Sequence, residues 1–378
     1  MLPTKPLHVG LNLVFLVPGE TGGMEVYARE LIRRLAARND LRLTAFVNRE
    51  ASGGDWGEGV REVAVPVRAR RRLEWVIGEQ RHLPRLAREA GCDLVHSLAS
   101  TGPLRGPFVR VATIHDLNYK LVPEAHFGVR RLGMGLLVPA SARRSHRIIV
   151  DARATGADLE QHLGVPRDKI DVVPLGVSQE PPADPTPEAR LRSQLGLGER
   201  PILLSVSAKR PHKNLIRLLE AHALLDGAAR PVLVVPGYPT QHEEELVARA
   251  RSLGTLEHVR FPHWVDQGDL EGLYEAATAF AFPSLHEGFG LPVLEAMRRG
   301  VPVACSDRST LPEVAGTAAL LFDPEDGNAI HRALERLLAD EPLRERLRVD
   351  GRERAARFTW EATAAGTADV YRRAMGLR

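Results

Sequence analysis

The sequence predicts a two-domain α/β protein built from two doubly wound parallel sheets. Both halves of the chain alternate short apolar runs with amphipathic stretches, which is typical of strands that are each followed by a helix. The chain has 378 residues, more than one ordinary hydrophobic core holds. Near the middle, residues 178–198 are rich in proline, which is typical of a semi-rigid connector between domains.

The first half begins with a strand, predicted over residues 7–17, that leads into a loop containing Gly22 and Gly23. A helix follows over residues 24–38. The apolar residues predicted on its buried face are Val26, Leu31 and Leu35. A strand, a glycine loop and a helix in this order can hold a phosphate at the helix N-terminus, but paired glycines also mark ordinary turns. The spacing fits neither the dinucleotide fingerprint nor the P-loop.

The rest of the first half continues the alternation. Strands are predicted over residues 41–47, 61–65, 93–96, 108–114, 148–150 and 170–173. Helices are predicted over residues 73–90 and 153–163, with a mobile loop and a helix between residues 118 and 147. The strand over residues 108–114 ends at His115 and Asp116. Carboxyl ends of strands are common active-site positions in such sheets. A lone histidine also serves structural roles, so both interpretations of His115 stay open.

The second half repeats the pattern. Strands are predicted over residues 201–207, 232–236, 259–261, 279–282 and 303–305. Helices are predicted from residue 215, from residue 292, and over residues 241–253, 270–276, 329–338, 343–356 and 360–375. Thr310 and Glu313 have the spacing of a capping box. Lys209, Arg210 and Lys213 lie between the first of these strands and its helix. They would add to the preference of a helix N-terminus for an anion.

One stretch organises the second half, residues 282–297. Gly288 and Gly290 lie between a buried strand and a helix that begins near Pro292, so a backbone can approach a ligand closely there. Glu287 and Glu295 frame this loop. They could hold two parts of one elongated ligand. In the alternative interpretation, Glu295 only complements the helix dipole and Glu287 is a solvated loop charge.

The stretch E-G-F-G-L-P-V-L-E-A-M, residues 287–297, resembles the paired-glutamate signature of the retaining glycosyltransferases of family 4. The resemblance covers essentially the whole carboxyl half and is looser in the amino half. It continues through residues 300–303, 311–316, 322–324 and 358–361. The resemblance implies the GT-B fold, two Rossmann-like domains that face each other across a cleft.

The resemblance also implies a division of labour. Residues 1–177 would bind the acceptor, residues 178–198 would be the linker, and residues 199–359 would bind a nucleotide-sugar donor. The helix over residues 360–378 would pack back on the first domain. The implied activity is metal-independent transfer of a hexose, with retention, from a nucleotide-diphosphate sugar to a glycan or glycolipid acceptor in cell-surface polysaccharide or glycolipid biosynthesis. No cofactor and no nucleic-acid partner are expected.

Roles for individual residues follow from the same resemblance. Glu287 and His115 would be catalytic and would contact the transferred sugar. Glu287 is also the formal candidate for a covalent nucleophile. The implied donor-binding residues are Lys213, Lys209, Arg210, Gly288, Phe289, Gly290, Leu291, Glu295, Val265, Gly22 and Gly23. Among these, Lys213 would bind the pyrophosphate, Glu295 the ribose and Val265 the nucleobase. Ser207 and Ala208 stand where the family's glycine precedes an arginine, so the choice of Lys209 or Arg210 as second phosphate cation stays open.

Two other classes of protein share this architecture. A nucleotide-sugar epimerase would change the sugar without an acceptor, and a non-catalytic subunit would only bind the nucleotide sugar. The paired glutamates and the tail over residues 358–361 favour the transferase over the epimerase. The presence of Glu287, Glu295, Lys213 and His115 argues against a non-catalytic subunit.

Composition predicts where the protein acts. Cys92 and Cys305 are far apart in sequence and each lies near an apolar run, which indicates reduced cysteines in a cytoplasmic protein. The net charge is only +3, but the basic residues cluster. Arginines between residues 68 and 88 flank Leu73, Trp75, Val76 and Ile77. This stretch is either a solvated helix face or a basic, Trp-bearing surface for the inner face of a membrane.

Overall fold

The computed structural model describes residues 5–122, 129–178, 183–227, 230–263 and 265–377. The chain divides into two compact units. In the described part of the chain, the first unit comprises residues 5–120, 129–176 and 360–377, and the second comprises residues 121–122 and most of 177–359.

The first unit is built on a parallel sheet that has seven strands within the described residues. They are β1 (Leu7–Leu13), β2 (Leu41–Val47), β3 (Arg61–Ala64), β4 (Leu94–Ser97), β5 (Val109–Thr113), β6 (Arg147–Val150) and β7 (Ile170–Val172). Their order across the sheet is β3-β2-β1-β4-β5-β6-β7, and every neighbouring pair is parallel. The central strands β1 and β4 are buried along their whole length, because helices cover both faces of such a sheet.

The helices of this amino-terminal region follow the predicted alternation. They are α1 (Gly23–Ala36), α2 (Arg72–Ile77), α3 (Leu83–Ala90), α4 (Asn118–Leu121), α5 (Val129–Arg144) and α6 (Arg153–Leu163). A single π-helical turn, Gly78–His82, joins α2 to α3 within the helix predicted over residues 73–90. Leu31 and Leu35 are fully buried as predicted, but the prediction for Val26 is wrong because its side chain is exposed. Residues 123–128, within the mobile loop predicted after residue 118, lie outside the described residues.

The second unit contains a parallel sheet that has six strands in the described ranges. They are β8 (Ile202–Leu204), β9 (Val232–Val234), β10 (Val259–Arg260), β11 (Ala279–Phe282), β12 (Val303–Ser306) and β13 (Leu320–Phe322). Their order is β10-β9-β8-β11-β12-β13. In each sheet the chain winds outwards in both directions from one central pair, β1 with β4 and β8 with β11. Ligands of such folds bind at the carboxyl ends of the strands at this switch point.

The helices of the second unit include one that the sequence pattern does not predict. They are α7 (Glu188–Leu195), α8 (Leu215–Ala223), α9 (His242–Ser252), α10 (Gln267–Ala276), α11 (Leu291–Arg298), α12 (Leu311–Ala315), α13 (Gly327–Ala339) and α14 (Glu341–Ala355). Helix α7 lies inside the stretch predicted as linker, residues 178–198, and packs against α10 through the buried Leu191. The prediction of a connector is therefore too long at its carboxyl end. Residues 179–182, within the same stretch, lie outside the described residues.

The last helix, α15 (Trp360–Ala374), belongs to the first unit and packs against α1. Trp360 and Tyr371 are buried there. The Tyr371 hydroxyl lies 2.8 Å from Nδ1 of His96 in β4, and the Thr363 hydroxyl donates to the Pro174 carbonyl at 2.8 Å. Within the described part of the chain, every helix is too short or too polar to span a bilayer.

The strand predicted over residues 7–17 ends earlier, at Leu13. Val14 and Leu16 are nevertheless fully buried, and the Asn48 side-chain amide donates to both of their carbonyls at 3.0 and 2.7 Å. These residues are apolar because they are buried in the turn that follows β1. In the sequence they therefore look like a continuation of the strand.

Candidate active site

An ion pair joins the two loops at the switch point of the second sheet. Lys213 ends a 3₁₀ turn after β8, and Glu287 lies in the loop after β11. Lys213 Nζ lies 2.5 Å from Glu287 Oε1 and 5.3 Å from the centre of the Phe282 ring. The Ser284 hydroxyl donates to the same carboxylate oxygen. Because β8 and β11 are neighbours, two residues 74 positions apart meet at one edge of the sheet.

Glu287 is ionised in this arrangement. Burial of its side chain raises the pKa of the carboxyl group, but the charge of Lys213 and the hydrogen bonds from Lys213 and Ser284 outweigh it, and the pKa is lowered. Asn214 connects the surrounding loops, since its side-chain amide donates to the Pro283 and Pro324 carbonyls at 3.1 and 2.7 Å. The site therefore presents a fixed carboxylate and a fixed ammonium group.

The glycine loop is held from behind by the residues that precede α12. The Ser309 hydroxyl donates to the Glu287 carbonyl at 2.8 Å. The Thr310 hydroxyl lies 3.2 Å from the same oxygen and 2.9 Å from the Phe289 carbonyl. The capping box predicted from Thr310 to Glu313 is therefore wrong for Thr310, whose side chain makes no capping bond to α12. Gly290 has φ +105° just before α11, a conformation that side-chain-bearing residues rarely adopt.

Glu295 lies about one turn into α11, where it accepts a hydrogen bond from the Tyr274 hydroxyl of α10 at 3.0 Å. Burial raises the pKa of Glu295, against the opposing charge of Arg299. The Arg299 guanidinium lies 4.7 Å from the centre of the Tyr274 ring and pairs with the buried Glu271. These contacts hold the carboxylate of Glu295 in place on α11. Glu287 and the glycine loop come immediately before this helix in the chain.

The structure separates the two candidates for a second phosphate cation. Lys209 is fully buried, and its ammonium donates to the Gly237 and Pro262 carbonyls at 2.7 and 3.1 Å. Arg210 is only half-buried. The ammonium group of Lys209 is already enclosed by carbonyls, which does not favour a contact with the phosphates of the sugar donor. The geometry therefore favours Arg210 for that contact.

The remaining predicted donor residues of the second unit lie at the same edge of its sheet. Phe289 is buried and packs edge-on against Phe358, with ring centres 5.9 Å apart. Gly288 and Leu291 flank it along the chain. Val265 is half-buried and follows β10, the outermost strand on the other side of β8. Its neighbour Trp264 lies outside the described residues.

In the first unit, His115 is held by residues from both neighbouring strands. His115 follows β5, and its Nδ1 lies 2.6 Å from Oδ2 of Asp151, which follows β6. Its Nε2 lies 2.9 Å from the carbonyl oxygen of Leu98, which follows β4. Burial lowers the pKa of His115, but the charge and hydrogen bond of Asp151 and the Leu98 carbonyl outweigh that effect and raise it. The partner is thus Asp151, and Asp116 instead accepts a bond from the Asn118 amide at 2.9 Å.

The other predicted residues of the first unit are Gly22 and Gly23, which begin α1. Gly22 has φ +61°, and a Cβ atom there would meet no other atom within 4 Å, so its backbone conformation is what favours glycine. The Gly19 amide in the same loop donates to Glu25 Oε2 at 2.8 Å. The carboxylate of Glu25 therefore accepts a hydrogen bond from the loop that the sequence predicts to bind an anionic ligand.

Sequence reasoning missed four supporting side chains. Asp151, Ser284, Tyr274 and Thr310 each contact a predicted site residue. Ser284 lies only three positions before Glu287, so its place in the loop was a usable signal. The other three come from neighbouring elements. In the described residues, no cluster of three or more His, Cys, Asp or Glu side chains has the arrangement of a metal site.

Comparisons with known proteins show the family of the chain. Residues 188–354 match the family model described as Glycosyl transferases group 1, and residues 21–180 match the one described as Glycosyltransferase Family 4. The O-antigen chain mannosyltransferase B of Escherichia coli is 32% identical over 266 residues, which cover 69% of this chain and 70% of that protein. A D-inositol 3-phosphate glycosyltransferase of Streptomyces bingchenggensis is 30% identical, covering 98% of this chain and 88% of that protein.

Among solved structures, the Anabaena protein HepE in complex with UDP and glucose superposes with a TM-score of 0.78 at 18% identity, covering 97% of this chain and 100% of that one. The two parallel-sheet units and these likenesses define a nucleotide-sugar-dependent glycosyltransferase of the GT-B fold. The chain belongs to glycosyltransferase family 4. The predicted fold class, family and enzyme class are confirmed, whereas the roles of individual residues stay predictions.

Proposed function

We propose that this enzyme transfers a hexose, with retention and without a metal ion, from a nucleotide-diphosphate sugar to a hydroxyl group of a glycan or lipid-linked acceptor. The observation that carries the proposal is the Lys213–Glu287 pair at the switch point of the second sheet. It places an ammonium group and a carboxylate together where such folds bind nucleotides. The name of the E. coli relative, which refers to an O-antigen chain, supports a role in cell-surface polysaccharide or glycolipid assembly.

The leaving group of this reaction is a nucleoside diphosphate, which gains negative charge as the glycosidic bond breaks. Lys213 and Arg210, both after β8, would stabilise that charge electrostatically. The N-terminus of α11 adds partial positive charge beside the glycine loop. This positive charge is available from the protein itself, which is the basis for proposing metal-independent transfer.

Two roles are open to Glu287 in a reaction with retention. A covalent glycosyl-enzyme needs a carboxylate nucleophile at the anomeric carbon. The carboxylate of Glu287, however, already accepts hydrogen bonds from Lys213 and Ser284, and its charge is partly neutralised by an ammonium at 2.5 Å. A carboxylate engaged in this way is better suited to hold sugar hydroxyls, with the leaving phosphate assisting the acceptor. We therefore assign Glu287 the hydroxyl-holding role and Glu295 the ribose contact.

A thermal-shift panel of UDP, GDP, ADP and TDP, each alone and as its sugar, tests the donor. A ligand at a hundred times its dissociation constant should add about 2.7 kcal/mol of stability. We expect one base to stabilise the protein strongly, and EDTA to leave the shift unchanged. The matching nucleotide sugar is then incubated with a glycan acceptor, and the anomeric configuration of the product is read by NMR.

An inverted product would contradict retention, and loss of the shift in EDTA would contradict metal independence. A change in the sugar without acceptor would indicate an epimerase. Stabilisation by none of the nucleotides would contradict the assignment of the second unit as the donor domain.

We also propose that the first unit contacts an anionic membrane surface through α2. Leu73 and Ile77 are four residues apart on this helix and are 81% and 47% exposed. Exposed arginines lie near them in the sequence, at positions 68, 70, 71, 72, 81, 85 and 88. Those at positions 70, 71 and 85 also pair with Glu20, Glu74 and Glu89. Such a face combines apolar anchors with attraction to anionic lipid. Trp75, which the sequence predicts to be part of this surface, is instead half-buried and packs against the core beneath α2.

Flotation with vesicles tests this surface. We expect binding to vesicles with about one third anionic lipid at low salt, and loss of binding at high salt because charges are screened. The change Leu73→Ser with Ile77→Ser should weaken binding by at least roughly tenfold, since each apolar side chain loses its burial. Val349→Ser, an exposed apolar residue on α14, is the matched control. Absence of binding at low salt would refute the proposal.

A further inference from the structure

His115 follows strand β5 and is held by residues that follow the two neighbouring strands, β4 and β6. In the sheet, β5 lies between β4 and β6. His115 follows β5, Leu98 follows β4 and Asp151 follows β6, so the imidazole ring spans three adjacent strand ends. Its Nδ1 lies 2.6 Å from the Asp151 carboxylate and its Nε2 lies 2.9 Å from the Leu98 carbonyl.

We propose that Asp151 is a positioning residue, which fixes the His115 ring and holds a second proton on it, so that His115 meets a substrate oxygen as a charged hydrogen-bond donor. This inference rests on the proposed function and on the contact between His115 and the transferred sugar that the family resemblance predicts. It adds a residue, Asp151, and a protonation state to that contact.

The two hydrogen-bond partners of the His115 ring, Asp151 and the Leu98 carbonyl, explain why the ring holds a second proton. A carboxylate and a backbone carbonyl only accept hydrogen bonds. A neutral imidazole has a single N–H and would leave one of these contacts without a hydrogen. With Asp151 ionised, the ring therefore carries hydrogens on both nitrogens. The bond to Asp151 is charge-assisted, which makes it the stronger of the two.

Two effects oppose each other at Asp151: burial raises the pKa of its carboxyl group, and the charge and hydrogen bond of His115 lower it, with a net rise. The ionised form therefore depends on His115. The Asp151 side chain is 1% exposed, and its second oxygen, Oδ1, has no hydrogen-bond partner in the described residues. A buried carboxylate is costly unless a positive charge compensates it. His115 is the cation that contacts it. The carboxylate of Asp116 adds further negative charge near the ring and raises the pKa of His115 in the same direction as Asp151.

The two other titratable rings beside His115, those of Tyr27 and His96, are neutral. Tyr27 of α1 lies edge-on to His115, with ring centres 4.9 Å apart, and burial raises the pKa of its hydroxyl. His96 of β4 has its pKa lowered to about 3 by burial and by the charge of His115. The Thr113 hydroxyl bonds both of them, at 2.9 and 2.8 Å, and Tyr371 of α15 bonds the other nitrogen of His96. The positive charge in this cluster is thus on His115.

The arrangement leaves one N–H for a substrate. Nδ1 is committed to Asp151, which is buried and follows a central strand. Nε2 is bonded to a backbone carbonyl, an exchangeable contact that a sugar hydroxyl or phosphate oxygen can replace or share. Because the pair with Asp151 raises the pKa of His115, this donor stays charged to a higher pH than in an ordinary histidine.

The test is the change Asp151→Asn in the full chain, with Asp168→Asn as the matched control on an exposed turn. The titration of His115 is followed by NMR of ¹³C-labelled histidine, and its signal is assigned with His115→Gln. In the wild type and in Asp168→Asn, we expect a midpoint above the ordinary 6.5. In Asp151→Asn, the midpoint should move to lower pH by about one pH unit or more, because the amide keeps the shape and loses the charge.

The pH profile of kcat/KM is the second measurement. In Asp151→Asn, the loss of activity at high pH should begin at lower pH by the same amount, while activity near the acid end approaches that of the wild type. An equal loss of activity at every pH would show a merely structural role and would overturn the proposal.

The wild-type titration is decisive even if Asp151→Asn does not fold. A midpoint at or below 6.5 in the wild type would also overturn the proposal. The NMR measurement needs no transfer activity, so a protein that transfers no sugar, yet shows the raised midpoint and its loss in Asp151→Asn, would refute the proposed function and leave the role of Asp151 in protonating His115 intact.

Discussion

Glu287→Gln is expected to lower kcat/KM for sugar transfer by about 10²–10³-fold, the loss typical when one preorganised polar contact at the reacting centre is removed. Glutamine keeps the size of the side chain and one acceptor oxygen for Lys213. It removes the negative charge, which the contacts to Lys213 and Ser284 stabilise against the effect of burial. Initial-rate kinetics over a range of donor concentrations measure the effect. Affinity for the nucleoside diphosphate should change less, because this variant keeps Lys213 and the other proposed nucleotide contacts.

The matched control for this change is Glu244→Gln, an exposed glutamate on α9 of the same unit. It should keep wild-type kinetics. If Glu287→Gln unfolds at the same urea concentration as the wild type and also keeps its kcat/KM, Glu287 is not part of the site. The intact mass of the wild type mixed with donor alone separates the two roles of Glu287, since only a covalent nucleophile would add the mass of one sugar.

Lys213→Met is expected to act on both activity and stability. In the proposed mechanism, this change removes a cation that stabilises the developing charge on the leaving diphosphate, so kcat should fall by about 10²–10³-fold. Glu287 is then a largely buried carboxylate without its cation. Full burial of such a charge costs about 3–5 kcal/mol. The Lys213 and Glu287 side chains are 16% and 11% exposed, so solvent reduces that cost and we expect roughly 1–3 kcal/mol.

The double variant Lys213→Met with Glu287→Gln separates the two effects. It should regain most of the lost unfolding free energy, because no uncompensated charge remains, and it should regain none of the activity. Arg251→Met, an exposed cation on α9, controls for loss of a positive charge. Urea unfolding and initial rates give both quantities. Equal stability of the single and double variants would contradict the coupling that the 2.5 Å contact implies.

The pH dependence of the same pair has a defined sign. The pKa of Glu287 is lowered from 4.5 in the folded state, so its ionisation stabilises the wild type above pH 4.5, and that contribution is lost as the pH falls through the folded-state pKa. In Lys213→Met the burial effect remains and the lowering effect of Lys213 is gone. The difference in unfolding free energy between the two proteins should therefore be largest at neutral pH and shrink on acidification.

Much of the fold follows from local patterns. Strand β11 and helix α6 have the predicted bounds, because a short apolar run and an amphipathic repeat each end at clear signals, Pro283 and Gly164. The predicted bounds of an element are wrong where buried apolar residues lie outside a strand or helix, or where an exposed residue fits its apolar pattern. Val14 and Leu16 are as apolar as the strand before them but are buried in a turn. Val26 fits the helical repeat but lies at the first turn of α1, where its side chain is exposed.

The candidate site is predictable only where its residues share a loop. Glu287, Gly290 and Glu295 are close in sequence, and their spacing alone indicates one ligand site. Asp151 could not be found in this way. It lies 36 residues from His115, and only the pairing of β5 with β6 brings the two together. Thr310 has a strong local interpretation as a helix cap, but its backbone is already helical, which is not the conformation of a capping residue. Its hydroxyl instead donates to the Glu287 and Phe289 carbonyls of a loop distant in sequence.

The position of α15 has a consequence for how the protein is made. Synthesis runs from the amino terminus, so the first unit emerges without the helix that supplies Trp360 and Tyr371 to its core. The ribosome must first add the 183 residues from 177 to 359. At 5–20 residues per second this takes about 10–40 s. During that interval His96 lacks its bond to Tyr371, and the face of α1 that packs against α15 is open. The first unit therefore completes its hydrophobic core only after the whole second unit has been synthesised.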